Sequence, residues 1–338
     1  MPSRPGIKTL ISPIPTTPGW LFHGIQSVTA ETLSRRIPKV SVCVIAYNQG
    51  QYIRECLQSI IDQKTDFEFD IVVGDDFSSD ETPQIIQEFA DRYPGRITPI
   101  LNKSKIGGTK NYVSTHLSAK GEYVAHVDGD DVTYPGKLQR QADLLDQRKN
   151  LALVWHIVNI FGDDGLAVGQ THLYLGDIVD TQNITLRDVL RFGSLGAASS
   201  VMYRRSFESY LSEIHEDTLD FYFAARILEH GDGARINDVL GGYRFNPVAV
   251  TLSKKKSPYL SPSPMRVLYA AHLAALYERN KQFKAEIFLN SIFNLGVELR
   301  FLRPTIPSFC RLALRTFSID AVKYIPKYFA QAFRLRIK

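Results

Sequence analysis

Apolar and polar positions alternate in blocks along the middle of the chain. "VSVCVIAY" (40–47) is a short apolar run rich in β-branched residues and reads as a buried strand. Behind it Ile53, Leu57, Ile60 and Ile61 recur at helical spacing. The strand-like "FDIVVGD" is followed by "SSDETPQIIQEFADRY", where Ser79 or Asp80 suits the N-cap, Pro83 the first turn, and Ile85, Ile86 and Phe89 the apolar face. "RITPIL", a helix near 109–119, the strand "GEYVAHVD", a helix opened by Pro135, and "LALVWHIVNIF" continue the alternation. Repeated strand and helix predict an α/β domain with a mostly parallel sheet, whose ligands sit beyond the carboxyl ends of the strands.

Polar residues gather where three of these strands end: "AYNQG", "GDDFSSDET" and "HVDGDD". The last places Asp128, Asp130 and Asp131 within four positions. Carboxylates this close raise one another's pKa, so they form either a solvated acidic turn or a cation site. Recurrence of polar ends on one rim favours the cation. A second acidic pair, "FGDDG" at 161–165, ends in glycine after a strand and reads as a hairpin turn without chemistry. "HEDTLDFYFAARILEHG" sets Glu216, Asp217 and Asp220 near the start of a helix with Phe221, Ala225 and Leu228 on its apolar face. One of the three is a candidate general base, unless all merely complement the helix dipole.

The flanks differ. Residues 1–38 are Pro-rich and irregular, 39–252 hold the α/β pattern, and 253–338 open with the linker "KKKSPYLSPSP". Packing faces are expected at Val267, Leu268, Ala271 and Ala275, then at Phe283, Ile287, Ile292, Leu295 and Leu299. Three cysteines without CxxC spacing indicate neither a disulfide framework nor a zinc cluster and fit a cytoplasmic setting. No run of about 18 apolar residues marks a membrane span. The net charge of +5 is local: residues 303–338 hold eight Lys or Arg against Asp320 alone. This basic amphipathic mixture suits peripheral contact with an anionic membrane, or a docked helix with solvated lysines. Nucleic acid is disfavoured, because the charge does not spread over a binding face.

"VSVCVIAYNQGQYIRECLQSIIDQ", "DIVVGDDFSSDETPQII", "GEYVAHVDGDDVTYPGKLQRQ" and "YRFN" together resemble family 2 glycosyltransferases of the GT-A nucleotide-diphospho-sugar transferase fold, over residues 39 to about 250. Within that family they are similar to bacterial enzymes of capsule, exopolysaccharide or lipopolysaccharide synthesis. The resemblance implies transfer of a sugar, with inversion, from a nucleoside diphosphate donor to a hydroxyl of a glycan or lipid-linked acceptor. It implies Mn2+ or Mg2+ on Asp131, with Asp130 sharing the metal or touching the ribose and Asp128 supporting the site. Donor contacts fall on Ala46, Tyr47, Asn48, Asp76, Lys110 and Arg244, Asp76 being free to accept from the base or ribose. Lys110 and Asn111 stand where relatives often carry Arg-Asn, and a lysine loses the bidentate geometry. Asn246 replaces a frequent histidine. The implied base is Asp220, eleven residues before Gly231, with Asp217 the alternative. No Gln-x-x-Arg-Trp signature is present, which favours single additions. A nucleotidyltransferase and an inactive sugar-nucleotide-binding protein are the competing readings. The first would want a Gly-rich basic loop after strand one, and the acids argue against the second.

Overall fold

The computed structural model describes residues 37–171, 175–213, 218, 220–245, 264–300 and 305–336. Residues 37–338 group as one compact unit. Strand β1 (Val40–Ala46) leads through α1 (Ile53–Ile61) to β2 (Phe69–Asp75), α2 (Thr82–Arg92), β3 (Ile97–Leu101), α3 (Gly108–Leu117) and β4 (Tyr123–Asp128). A short β5 (Val132–Thr133), α4 (Lys137–Gln147), the long β6 (Leu151–Phe161) and β7 (Ala167–Gln170) follow. Then come α5 (Leu186–Phe192), β8 (Met202–Arg204), α6 (Asp220–Ile227) and β9 (Asp232–Arg244). The last elements are α7 (Pro264–Arg279), α8 (Lys284–Arg300), α9 (Ile306–Arg315), α10 (Ile319–Val322) and α11 (Ile325–Arg336).

Among the described residues the strands form one sheet in the order β3-β2-β1-β4-β8-β6-β9-β5, with β7 beside β6. The long pairings, β1 with β2 and β4, β2 with β3, and β6 with β9, are parallel. The short strands β5, β7 and β8 pair antiparallel. Alternation along β1 splits the core in two. Val40, Val42, Val44 and Ala46 join Ile53, Leu57, Ile60, Ile86 and Phe89 of α1 and α2 on one face. Cys43 joins Val72, Val124, Trp155 and Tyr203 on the other, against α5, α6 and the C-terminal helices. Ile53, Leu57 and Ile60 are fully buried, each contributing roughly 2 kcal/mol from area removed from water.

Three expectations are corrected. Glu81 takes the N-cap position of α2, although the Asp80 carboxylate still accepts the Thr82 N–H at 3.0 Å. The helix expected from Pro135 begins at Lys137, because Gly136 sits at φ 85° and breaks the turn before it. On α7 the buried face is Ala270, Leu273 and Leu276, while Val267, Ala271 and Ala275 face water. Alanines surround that helix, so the apolar pattern alone did not mark one side.

Candidate functional site

Three strand ends form the rim and are laced together by backbone and side-chain bonds. The Asp76 N–H donates to the Ala46 carbonyl at 3.0 Å and the Gly129 N–H to the Ile45 carbonyl at 2.9 Å. The Asn48 N–H donates to Ser78 Oγ at 2.8 Å, and the Ser79 N–H donates to Asn48 Oδ1 at 2.9 Å. A Cβ on Gly129 would lie 3.1 Å from the Ile45 carbonyl oxygen of β1 and would displace the Gln49 side chain, so glycine suits this close approach of the acidic loop. Asn48 and Phe77 both have left-handed backbones, at φ 52° and 60°. Asparagine tolerates this; a phenylalanine does so at a cost of about 1–2 kcal/mol. The Asp75 carboxylate fixes the turn by accepting the Ser78 N–H at 3.0 Å and the Ser78 hydroxyl.

Asp76 is not free, contrary to expectation. Its buried carboxylate accepts the Ile106 N–H at 2.7 Å and the Gly107 N–H at 3.1 Å, fixing the loop before α3. Tyr47 is exposed at the end of β1, with Lys105 Nζ 3.7 Å from its ring centroid. Lys110 lies exposed in the first turn of α3. Its neighbour Asn111 is buried and donates to the Gly74 carbonyl at 2.8 Å, so it serves the packing of α3 on β2.

Asp131 is buried where β5 begins. Its Oδ1 accepts the Arg244 N–H at 2.9 Å, while its Oδ2 has no hydrogen-bond partner. Arg244 also donates through Nε to the Asp130 carbonyl at 3.0 Å and through Nη2 to Glu55 at 2.5 Å. Its guanidinium lies 4.6 Å from the Tyr52 ring and 4.5 Å from the Phe161 ring. Arg244 therefore braces the acidic loop. The 161–165 hairpin forms as expected but is not idle: Tyr52 donates to Asp163 at 3.1 Å, and Asp163 lies 3.9 Å from Arg244 Nη1.

Asp128 faces another set of groups. Ser199 Oγ accepts the Asp128 N–H at 2.9 Å and donates to its Oδ2 at 3.3 Å, while His126 Nε2 lies 3.3 Å from Oδ1. His126 Nδ1 meets His116 Nε2 at 3.1 Å, and His116 Nδ1 meets the Tyr203 hydroxyl at 2.8 Å. Lys137, buried beneath the loop, donates to the Ser199 carbonyl at 2.7 Å. Sequence reading missed Ser199, His126 and Lys137. Lys137 left a signal: it falls one turn before Gln141, also buried, on a helix side otherwise made of Leu138, Ala142 and Leu145.

Burial first, then the charge of Asp128, pushes the Asp130 carboxyl up to about 6. Burial, Asp128 and Asp130 together raise Asp131 well above the carboxylate range. For Asp128, burial pushes upward, but His126, Ser199 and Lys137 outweigh it and hold the group low. Burial brings Lys137 down to about 8 despite the opposing pull of Asp131.

Asp220 is the first residue of α6, as expected, and helps line a cavity with Tyr112, His126, Trp155, Ala197 and Phe223. The residue as a whole is exposed, yet desolvation of its carboxyl, followed by the charge of Asp128, raises its pKa. Glu216, Asp217 and Asn246 lie outside the described residues.

Among the described residues no three acid, histidine or cysteine side chains converge as a complete metal cage. Asp131, with an unsatisfied buried oxygen, and the neighbouring Asp130 offer instead two hard oxygen ligands. That set fits Mg2+ or Mn2+ completed by phosphate and water oxygens, and does not fit zinc.

The Glycosyl transferase family 2 model matches residues 41–210, half of the chain. An uncharacterised protein of Mycobacterium tuberculosis is 32% identical over 208 residues, 61% of this chain and 58% of that protein. Among solved structures, Staphylococcus aureus TarS 1-349 in complex with UDP-GlcNAc superposes with a TM-score of 0.61 at 18% identity, covering 88% of this chain and 89% of that one. The mannosyltransferase PcManGT of Pyrobaculum calidifontis, in complex with GDP-Man and Mn2+, gives 0.50 at 18% identity, covering 88% and 81%. The fold is thus the expected GT-A-like α/β arrangement with a helical C-terminal region.

Proposed function

The chain belongs to glycosyl transferase family 2, and from that premise we propose that it transfers a sugar, with inversion, from a nucleoside diphosphate to a hydroxyl of a glycan or lipid-linked acceptor. The observation that carries the reading is the acidic loop itself, where Asp131 keeps a buried oxygen without a partner beside a second crowded carboxylate. Asp131 and Asp130 would hold a divalent cation there, which when bound would supply charge stabilisation to the departing diphosphate. Asp128, held ionised by His126 and Ser199, backs the loop electrostatically. Ala46, Tyr47 and Asn48 line the nucleotide end of the rim, with Asp76 acting through the loop before α3 that it fixes and Lys110 reaching toward phosphate from α3. Arg244 acts here through the loop that it braces.

Asp220 is the base. The acceptor oxygen bonds to the anomeric carbon as the carbon–oxygen bond to the diphosphate breaks, the electron pair leaves with the diphosphate, and the acceptor proton passes to the Asp220 carboxylate. Its raised pKa suits that task. The solved neighbours bound to UDP-GlcNAc and to GDP-Man with Mn2+ support a nucleotide sugar and a metal without naming this chain's own. Activated donors place the reaction on the cytoplasmic side, with peripheral membrane contact through residues 303–338. No helix among the described residues is long and apolar enough to cross a membrane.

The test is a release assay over UDP and GDP sugars with and without Mn2+. Asp131→Asn should lower turnover by about a hundredfold or more while thermal unfolding stays native-like. Asp220→Asn should abolish transfer but retain Mn2+-dependent nucleotide binding. Full activity in chelator removes the metal; a harmless Asp220→Asn beside a severe Asp217→Asn moves the base to Asp217, and two harmless variants mean that the base lies elsewhere.

A further inference from the structure

The C-terminal helices are fastened on one side and bare on the other. Phe309, Leu312 and Ala313 of α9, Ala321 of α10, and Tyr328 and Ala332 of α11 are buried, and the Tyr328 hydroxyl donates to the Arg191 carbonyl at 2.6 Å. Between these anchors the outer side is apolar. Leu314 is 74% exposed, Ile319 72%, Phe317 50%, Tyr324 48% and Val322 39%. Single exposed apolar residues need no explanation, but five large ones between positions 314 and 324 concentrate exposed apolar surface in one short stretch. Arg311, Lys323 and Lys327 are exposed among them, while Arg315, also exposed, pairs with Glu278 of α7; Asp320 is the one acid within residues 305–336.

We propose that this edge docks on an anionic lipid surface, with Leu314, Phe317 and Ile319 entering the headgroup boundary and Arg311, Lys323 and Lys327 meeting lipid phosphates. Charge complementarity selects the occupant, since the basic ring around an apolar centre is the pattern that an anionic leaflet rewards. Exposure above 70% at Leu314 and Ile319 describes protruding side chains, which suit a yielding planar surface better than a partner that must supply fitted pockets. The two expectations for the tail therefore combine: the helices are docked, and their free side is amphipathic. The proposal deepens the peripheral placement above, but its observation is independent of the transfer chemistry.

Flotation of the full chain with vesicles of phosphatidylcholine alone, and of phosphatidylcholine with phosphatidylglycerol in equal parts, tests it without donor or metal. Binding should require phosphatidylglycerol and weaken with salt. Combined Leu314→Ser, Phe317→Ser and Ile319→Ser should reduce it by about tenfold or more, as should combined Lys323→Glu and Lys327→Glu, because each lysine and each apolar side chain adds to the partition. Thermal unfolding should stay unchanged for the lysine pair and for Leu314→Ser with Ile319→Ser, which alone should already weaken binding, whereas Phe317 is half exposed and packs edge-on against Phe288. A Phe317→Trp probe should shift its emission to the blue on anionic vesicles. Equal binding to neutral vesicles, or variants that float like the parent, overturns the proposal. So does a serine variant whose only change in light scattering is loss of self-association, which makes this stretch a contact between copies.

Discussion

Phe77 is a bulky residue at φ 60°, exposed on the rim beside two buried aspartates. Replacing it with glycine removes the steric penalty, offset by the larger entropy of the unfolded glycine, so Phe77→Gly is expected to leave stability within about 1 kcal/mol of the parent or raise it. Chemical denaturation measures this. If nucleoside diphosphate binding falls in the same variant, the ring is retained for the ligand and not for the fold. At this scale the sequence was partly legible. Spacing picked out Asp128, Asp130 and Asp131 because they are neighbours in the chain. It missed the amides of Ile106 and Gly107 that occupy Asp76, since these come from a loop thirty residues later whose path depends on where β3 lies.

Among elements, the decisive junction is the end of β9 against the loop between β4 and β5. One guanidinium spans the Asp130 carbonyl, Glu55 and two aromatic rings, while the Arg244 backbone holds Asp131. Arg244→Met keeps the backbone bond but releases the loop, so activity should fall by about a hundredfold from misplacement of the acids. Lysine should not restore it, because a point charge cannot stack between Tyr52 and Phe161 while making directed bonds. Turnover and Mn2+ affinity, measured on both variants against a native circular-dichroism spectrum, check this. Strand and helix order was readable from periodicity here, whereas the hairpin's contribution through Asp163 was not, since turn composition says nothing of what a turn reaches. The face of α7 was unreadable for a related reason: small residues on every side leave the choice to the surface it meets.

For the molecule as a whole, the C-terminal helices are not an appendage of the α/β sheet. Ala270, Leu273, Leu276, Ile287, Phe309 and Leu312 share one buried cluster with Trp155, Leu190, Phe221 and Tyr203. A chain stopped at residue 252 uncovers that face, and we expect it to aggregate, while the full chain unfolds in a single transition by calorimetry. Separate transitions for residues 39–252 and 264–336 would restore the division drawn from the linker. The α/β architecture was evident from the sequence; the shared core was not, because helical periodicity tells that a face is buried and not against what.

The brace on the acidic loop also sets an order of events during synthesis. Arg244 lies 113 residues after Asp131 and 189 after Glu55. A ribosome needs roughly six seconds or more to cover the first interval. Through that time the first four strands and all three acids have emerged, yet the loop lacks the bonds that Arg244 makes to Asp131 and to the Asp130 carbonyl. Closing loops of this length carries an entropic cost that only the completed sheet repays. A nascent chain released before Arg244 thus carries the acids without the centre, and the appearance of activity reports that the last strand has arrived.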